Sequence, residues 1–405
     1  MKKIAIIGYG VVGGGITAVL EANYSEIKKT VGDDVSVKYI LDLREFPDSP
    51  YADRIVHDID IIANDPEVDL VCETMGGSHP ALEFSLACLK KGKSVVTSNK
   101  EVVANFGDVL LSAARENGVT YMFEASVGGG IPVIRPFYTS LSGDKISSVC
   151  GILNGTTNYI LTKMKNEGKS FDDVLKEAQL LGFAEANPSA DIDGIDAKRK
   201  IIILTALASG ILVSENEVYA GTLRYVTEKD IKAAEKWGGN VKLIAKTNIG
   251  EGFAEAYVCP MFVPYSCPLS FISEVYNGIS VTSPTTGDIM YYGRGAGRFP
   301  TAGAVMADIC AVLSEAVQNE AKICFEKAKS GYMKPFSDIE FTYYFRFEAS
   351  LADVTEVLEP LCDKIDVLTD DGGIVEVIAG KMNLNDMEKV STSIGGVRSV
   401  IRVLE

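Results

Sequence analysis

The densest chemistry in this chain lies between Gly182 and Lys200, GFAEANPSADIDGIDAKRK. Glu185, Asp191, Asp193, Asp196, Lys198, Arg199 and Lys200 crowd there and run straight into the apolar Ile201–Ala208. That order reads as a polar loop feeding a buried helix. Gly182, Pro188 and Gly194 punctuate the first half, and an apolar helical pattern takes over from Asp196. Asp196 and Lys200 are four apart, so they share a helix face with the acid on the N-terminal side. On a solvated helix this is a weak ion pair, and charge clusters are commonly solvated surface. At the mouth of a helix that continues Ile-Ile-Ile-Leu, both charges are partly desolvated. Such a site shifts a lysine pKa and suits it to proton transfer.

The elements that must position this block begin with a dinucleotide platform over residues 1–130. Lys3–Ile7 reads as a short apolar strand. Gly8-Tyr-Gly10-Val11-Val12-Gly13 follows directly, with a helix expected over 16–28. This is G-x-G-x-x-G in its required strand-to-helix context. The glycines turn the chain tightly and let a pyrophosphate approach backbone amides at a helix N-terminus, so this loop is assigned to cofactor binding. The next strand, Val35–Leu41, ends at Asp42, which is either a loop residue or the acid that bonds a ribose 2′-OH and favours NAD. Arg44 is the kind of group that favours the 2′-phosphate of NADP, so NADP or NAD stays open. Asp69–Glu73 is a third strand, leading into Thr74-Met-Gly-Gly-Ser78 and a helix over Pro80–Lys91. Lys93–Thr97 is a fourth, ending in Ser98-Asn99-Lys100. A lysine at the carboxyl end of a parallel strand faces the crevice where ligands bind. The plainer reading of Lys100 is a surface lysine capping the strand. Val119–Phe123 is a last strand, ending at Glu124, and His57 and His79 receive no role.

A substrate domain is expected over 131–335. At its entrance, Ala125-Ser-Val-Gly-Gly-Gly-Ile-Pro132 is a glycine-rich turn. Its carbonyls, with the Glu124 carboxylate, suit a hard cation as well as a tight turn. Gly151-Ile-Leu-Asn-Gly-Thr-Thr-Asn158 reads as a polar loop before a helix over 159–165. Phe171–Leu181 is an amphipathic helix stopped by Gly182. Val241–Ile249 and Phe253–Phe262 are strand-like. Glycine crowds again at Gly293–Thr301, before a helix expected over 302–327, a second loop-to-helix candidate for the cofactor.

Residues 336–405 form a tail. Thr342–Ala349 alternates like a strand, Val354–Cys362 reads as a helix, and Ile365–Thr369 and Ile374–Ala379 flank the hairpin turn Asp370-Asp-Gly-Gly373. A helix over Met387–Ile394 and a strand over Val397–Leu404 complete the order β-α-β-β-α-β of a ferredoxin-like module.

Composition removes several function classes. The net charge of −16 argues against a nucleic-acid partner, which needs a basic face. Eight cysteines without a C-x-x-C pair and only two histidines argue against zinc. Scattered cysteines in a chain of 405 residues fit a reducing cytosol, so a cytoplasmic location is expected. The opening MKKIAIIGYG mimics a signal peptide until Gly8 and Gly10 break it. The longest apolar run, near 201–213, is interrupted by Thr205, Ser209 and Gly210 and is too short to span a bilayer, so no membrane partner is expected.

Taken in order, Gly8–Gly13, Ser98–Lys100, Ser126–Pro132, Gly151–Asn158, Gly182–Glu185, Asp191–Lys200 and Gly293–Thr301 resemble the homoserine dehydrogenase family over about residues 1 to 330. The resemblance implies reversible reduction of L-aspartate 4-semialdehyde to L-homoserine with NADPH or NADH, in threonine, methionine and isoleucine biosynthesis. It implies an α/β fold with an N-terminal Rossmann domain, an α/β catalytic and dimerisation domain, and a homodimer or higher oligomer. By position, Lys200 matches the general acid/base and Lys100 a second active-site lysine near the nicotinamide. Glu185 and Asp196 match holders of the amino acid part of the substrate, with Asp191 in the same acidic set and Thr301 beside them. Gly182 and Gly297 match cofactor contacts, as do Thr74 and Ser98 at the strand ends. Glu124 with the carbonyls of Val127, Gly129 and Ile131 matches a structural sodium site. Asn187 and Ala190 stand where some members carry acids, which thins the cluster. The tail resembles the ACT regulatory domain that many members carry for threonine feedback. Its loop Ser350-Leu-Ala-Asp-Val-Thr355 lacks the usual Pro-Gly pair, so an effector role and a dimer-contact role both stay open. Hydride addition to an aldehyde makes an alkoxide that needs a cation and then a proton. A lysine supplies both if its pKa falls from about 10.4 toward neutrality, and two lysines near one oxygen are expected to lower each other. Two readings compete: another Rossmann dehydrogenase on a different small aldehyde or amino acid, which the Glu185–Lys200 block speaks against, and a sensor that binds nucleotide or amino acid without turnover, which intact Lys100 and Lys200 disfavour.

Overall fold

A computed structural model describes residues 1–314, 316 and 323–405. Its first layer is a parallel sheet. Strands β1 (Lys2–Ile7), β2 (Val35–Leu41), β3 (Ile55–Val56), β4 (Leu70–Glu73), β5 (Ser94–Thr97) and β6 (Tyr121–Met122) pair in the order β3-β2-β1-β4-β5-β6. Their near-continuous apolar runs follow from burial on both faces by the crossover helices. Those helices are α1 (Val11–Ala22), α2 (Tyr24–Val31), α3 (Ile59–Ala63), α4 (Ala81–Lys90) and α5 (Lys100–Glu116). The order reverses between β1 and β4, the switch point at which a crevice opens beyond the strand ends.

The helix expected over 16–28 is in fact α1 and α2, divided at Asn23, and α1 starts at Val11 directly behind Gly10. Val-Val-Gly-Gly-Gly is a poor helix former by propensity. Packing overrides it. A Cβ on Gly13 would overlap the Gly8 carbonyl, and one on Gly15 would lie 2.9 Å from the Ala302 Cβ.

The second layer is built from α6 (Ile134–Tyr138), β7 (Ser148–Ile152), α7 (Gly155–Glu167), α8 (Phe171–Leu180), α9 (Ser189–Ile192), α10 (Ile195–Ser209), β8 (Ile211–Leu212), β9 (Tyr219–Ala220), α11 (Glu228–Trp237), β10 (Gly239–Ile249), β11 (Ala254–Pro264), β12 (Tyr276–Ser283), β13 (Gly287–Arg294), α12 (Arg298–Leu313) and β14 (Glu326–Lys327). The helix expected over 302–327 is therefore shorter and starts earlier. Its positions 315 and 317–322 lie outside the described residues, and 326–327 pair with β8 instead. The polar loop expected over 151–158 shrinks to Leu153 and Asn154 between β7 and α7.

The tail follows the expected order: β15 (Phe341–Glu348), α13 (Leu351–Leu358), β16 (Ile365–Asp371), β17 (Ile374–Met382), α14 (Leu384–Ser393) and β18 (Val397–Val403). One mixed sheet runs β13-β12-β7-β10-β11-β18-β15-β17-β16, with β9 also on β11. The tail is thus stitched into the catalytic sheet, Met261 opposite Arg402 and Phe262 opposite Val403. At that seam the Arg402 guanidinium lies 4.8 Å from the Phe336 ring and within 5.6 Å of Tyr219, Phe341 and Tyr343. Cation–π attraction in so apolar a setting strengthens the join.

Candidate active site

Helix α10 carries the centre of the site. Gly194, at φ 72°, turns the chain from α9 into α10 in left-handed backbone that glycine adopts freely. Ile201–Leu204 are then fully buried, and they carry Asp196 and Lys200 into the interior, each 7% exposed. Lys200 Nζ donates to Asp196 Oδ2 at 2.7 Å and to the Leu153 carbonyl at 2.7 Å. Lys100 Nζ, from the start of α5, reaches the second oxygen, Asp196 Oδ1, at 3.1 Å. Asp196 therefore stands between two ammoniums. An ammonium has three N–H donors, and the contacts of Lys200 leave one for a ligand oxygen.

Lys100 owes its place to the end of β5. Thr97 Oγ1 donates to the buried Glu73 carboxylate at 2.6 Å and accepts the Asn99 amide at 2.9 Å. Asn99 Oδ1 then caps α5 through the amides of Glu101 and Val102, and its Nδ2 donates to the Gly77 carbonyl at 2.7 Å. Burial pushes the Glu73 carboxyl up to about 7. Ser98, half-buried, sits in this turn with its amide on the Glu73 carbonyl.

Asn154 is a site residue that sequence reasoning missed. Its Oδ1 accepts the Thr157 amide at 2.9 Å and caps α7. Its Nδ2 donates to Asp191 Oδ1 at 2.7 Å and Asp196 Oδ2 at 2.9 Å. The available signal was an asparagine before Gly-Thr-Thr, a strong N-cap type.

The electrostatics correct one expectation. Lys100 is raised, not lowered, because the Asp196 charge outweighs its desolvation. Neighbouring cations still pull Lys100 down, but the anion standing between the two lysines outweighs them. Burial alone would raise Asp196, but Lys200 and Lys100 together hold it well below the usual carboxylate range. Asp191 is raised, mainly by burial and further by the neighbouring Asp196 charge.

The Gly8–Gly13 loop is assembled separately. Gly8, at φ 90°, donates its amide to the Leu41 carbonyl, and Thr74 Oγ1 donates to the Gly8 carbonyl at 2.7 Å. Gly10 offers α1 no side-chain cap, which leaves the first-turn amides of Val11, Val12 and Gly13 at an N-terminus suited to phosphate. Gly297 caps α12 in the same bare manner, and Arg298 donates to the Gly14 carbonyl at 2.9 Å, so the two helix starts adjoin. Thr301 shares that first turn of α12; among the described residues no hydrogen bond joins it to the lysine cluster. Asp42 accepts the Tyr9 amide at 2.7 Å and a two-pronged contact from Arg44 at 3.0 Å. That guanidinium holds Asp42 down at about 2.

Gly182 and Glu185 lie on an exposed stretch after α8. Thr156 Oγ1 donates to the Phe183 carbonyl at 2.7 Å, and the Phe183 ring packs edge-on against Tyr159, which ties the stretch to α7. The Glu185 carboxylate makes no ion pair with a described residue.

The Glu124 carboxylate is buried and accepts the amides of Val133, Ile134 and Arg135 at the start of α6. Burial raises it, and raises the adjacent Asp308 to about 7. Val127, Gly129 and Ile131 are buried in the same turn, and among the described residues their carbonyls accept no hydrogen bond. Buried carbonyls left in that state beside a carboxylate fit a hard cation. Among the described residues no group of three or more His, Cys, Asp or Glu side chains could hold a metal ion. None of the described helices is long and apolar enough to cross a membrane.

Residues 132–310 match the family model described as homoserine dehydrogenase, and residues 8–124 the one described as homoserine dehydrogenase, NAD binding domain. A homoserine dehydrogenase of Synechocystis is 39% identical over 370 residues, covering 88% of this chain and 84% of the relative. The crystal structure of a homoserine dehydrogenase from Thiobacillus denitrificans covers 100% of this chain and 98% of its own, with a TM-score of 0.89 at 31% identity. A hyperthermophilic archaeal homoserine dehydrogenase in complex with NADPH covers 78% of this chain and 98% of its own, with a TM-score of 0.67 at 28% identity. With both its dinucleotide-binding half and its catalytic half matched, the chain belongs to the homoserine dehydrogenase family of NAD(P)-dependent oxidoreductases.

Proposed function

We propose that Lys200 gives and takes the proton as this chain interconverts L-aspartate 4-semialdehyde and L-homoserine. The observation that carries the reading is the buried Asp196 carboxylate held between Lys200 and Lys100. NAD(P)H, when bound, supplies the hydride that reaches the aldehyde carbon. As negative charge grows on the carbonyl oxygen, the remaining N–H of Lys200 meets it, and the Lys100 charge lowers its cost. The proton then passes from Lys200 Nζ to the oxygen. In the reverse direction a neutral Lys200 takes the hydroxyl proton, so oxidation gains from alkaline pH.

Glu185 and Asp191, with Asp196 behind them, supply negative charge for the substrate ammonium. Neither Glu185 nor Asp191 makes an ion pair with a described residue; Asp191 accepts from the Asn154 side-chain amide, and the Glu185 side chain is the exposed one. Glu185→Leu is expected to raise the homoserine KM by about tenfold or more, the scale of one charge-assisted hydrogen bond, with a smaller effect on kcat. An unchanged KM sinks this assignment.

Asp42 is the fixed element of the ribose end, 9% exposed in its side chain against 62% for Arg44. A fixed carboxylate there accepts a 2′-OH and repels a 2′-phosphate, which supports NAD over NADP. Glu124 and the carbonyls of Val127, Gly129 and Ile131 would hold a sodium ion that stiffens the turn packed against Gly295. The tail is read as an ACT-like module, either for threonine or for dimer contacts, in a cytoplasmic homodimer or larger oligomer. Ser350 caps α13 through the Asp353 amide where a Pro-Gly pair would stand.

One assay tests the whole reading: homoserine oxidation at alkaline pH, with NAD and NADP side by side, in sodium and in choline salts, with and without threonine. Turnover that is faster with NAD and faster in sodium is expected. Equal rates in both salts remove the cation, and faster turnover with NADP overturns the role of Asp42. Slowing by threonine assigns the tail to regulation, and no change assigns it to contacts. Absence of turnover with both cofactors overturns the catalytic reading in favour of a sensor.

A further inference from the structure

Beside each lysine stands a charged residue that the chemistry above does not use: Glu101 next to Lys100, and Arg199 next to Lys200. The two meet. An Arg199 terminal nitrogen lies 2.6 Å from Glu101 Oε2, across the boundary between α5 of the dinucleotide sheet and α10 of the catalytic layer. The other Glu101 oxygen accepts from Ser78 Oγ at 3.2 Å, on the glycine-rich loop after β4. Arg199 Nε lies 3.4 Å from the Glu215 carboxylate, on the short turn 215–217. Glu101 also sits in the first turn of α5, where the helix amides favour a carboxylate.

The same two helices are therefore tied twice, with opposite polarity. Lys100 gives a cation to Asp196 of α10, and Arg199 of α10 gives a cation to Glu101 of α5. We propose that Glu101 and Arg199 are a positioning pair: their salt bridge sets the approach of α5 to α10, and with it the spacing of the two lysines about Asp196. Neither residue touches the reacting atoms. The proposal rests on the role given to Lys200 above.

The need for such a tie follows from Lys100. Its side chain is 40% exposed and its ammonium is held by the ion pair with Asp196, so the placement of α5 against α10 decides where it lies. A bridge whose side chains are 26% and 23% exposed adds little to folding stability. Geometry is less forgiving: a misplacement of about 1 Å in a reacting constellation can cost on the order of 10²-fold in rate. The bridge is thus expected to show in turnover far more than in melting.

The test is a double-mutant cycle in the full-length chain: Glu101→Gln, Arg199→Gln and both together. Each single variant is expected to lower kcat by about tenfold, with cofactor KM within about twofold of wild type. The double variant is expected to be no worse than the poorer single, because one bridge can be lost only once. Arg199→Lys, which keeps the charge, is expected to recover most of the rate. Singles that keep wild-type kcat overturn the proposal. So does a double variant whose loss is the product of the two singles, since the residues then act separately. If Arg199→Gln does not fold, Glu101→Gln against Glu101→Asp carries the same comparison. Absence of turnover in the wild type is a different outcome and strikes the role of Lys200 instead.

Discussion

Lys200→Ala is expected to lower kcat by about 10³- to 10⁴-fold in both directions, with cofactor affinity unchanged. The substitution removes the proton and one of the two cations that meet the developing alkoxide. Water could enter the gap, but a neutral water is a far weaker acid than an ammonium held against the reacting oxygen. The contacts proposed for the cofactor lie elsewhere, in the Gly8–Gly13 turn, at Asp42 and at the start of α12, and the hydrogen bonds that shape them do not involve Lys200. Steady-state rates and a fluorescence titration with NADH separate the two effects. Lys200→Arg refines the result. It keeps a cation beside Asp196, yet a guanidinium does not give up its proton at working pH. The arginine variant should therefore retain part of the charge stabilisation and still fail at proton transfer, with oxidation hit hardest. Near-normal turnover in the alanine variant removes Lys200 from the acid/base role.

Much of this site was legible because its signals are local. The Gly182–Lys200 block places Asp191, Asp196 and Lys200 within one loop and one helix turn, and a strand ending in Ser98-Asn99-Lys100 points its lysine at the crevice. Most of the parallel sheet was readable too, because short apolar runs separated by helical stretches have few other fates; the two-residue β3 was too short to show. What failed was non-local. The start of α1 was hidden because Gly13 and Gly15 look like helix breakers until Gly8 and Ala302 are known to press against them. Asn154 reads as a loop residue because its two carboxylate partners come from α9 and α10. The upward shift of Lys100 required knowing that Asp196, not another lysine, is its nearest charge. The seam between β11 and β18 joins residues more than a hundred positions apart in the chain, beyond the reach of any periodicity.

The second large effect is expected at the carboxylate between the lysines. Asp196→Asn leaves the protonated pair of Lys100 and Lys200 without the anion that joins them. Breaking a buried pair by removing one partner costs on the order of 3–5 kcal/mol; the lower end is expected here because Lys100 is partly exposed. The wild-type stabilisation has a definite pH window. Asp196 is lowered in the folded chain, so its share is complete above the ordinary aspartate value and fades as pH falls through the depressed one. Lys100 is raised, so its share is complete below the ordinary lysine value and fades as pH climbs through the raised one. Asp196→Asn should flatten both ends of the stability curve, as thermal melts across pH would show. Catalysis adds a third signature. With the anion gone, the doubly protonated pair is less favourable, so the limb on which homoserine oxidation rises should move to lower pH, and the alkaline fall of aldehyde reduction should move with it. Peak kcat/KM should still drop by about 10²-fold, because the amide neither holds both ammoniums in place nor offsets the substrate ammonium. A pH–rate profile that keeps its wild-type midpoint in Asp196→Asn would show that this carboxylate does not set the proton affinity of the pair, and the bridge between the two sheets would then be structural only.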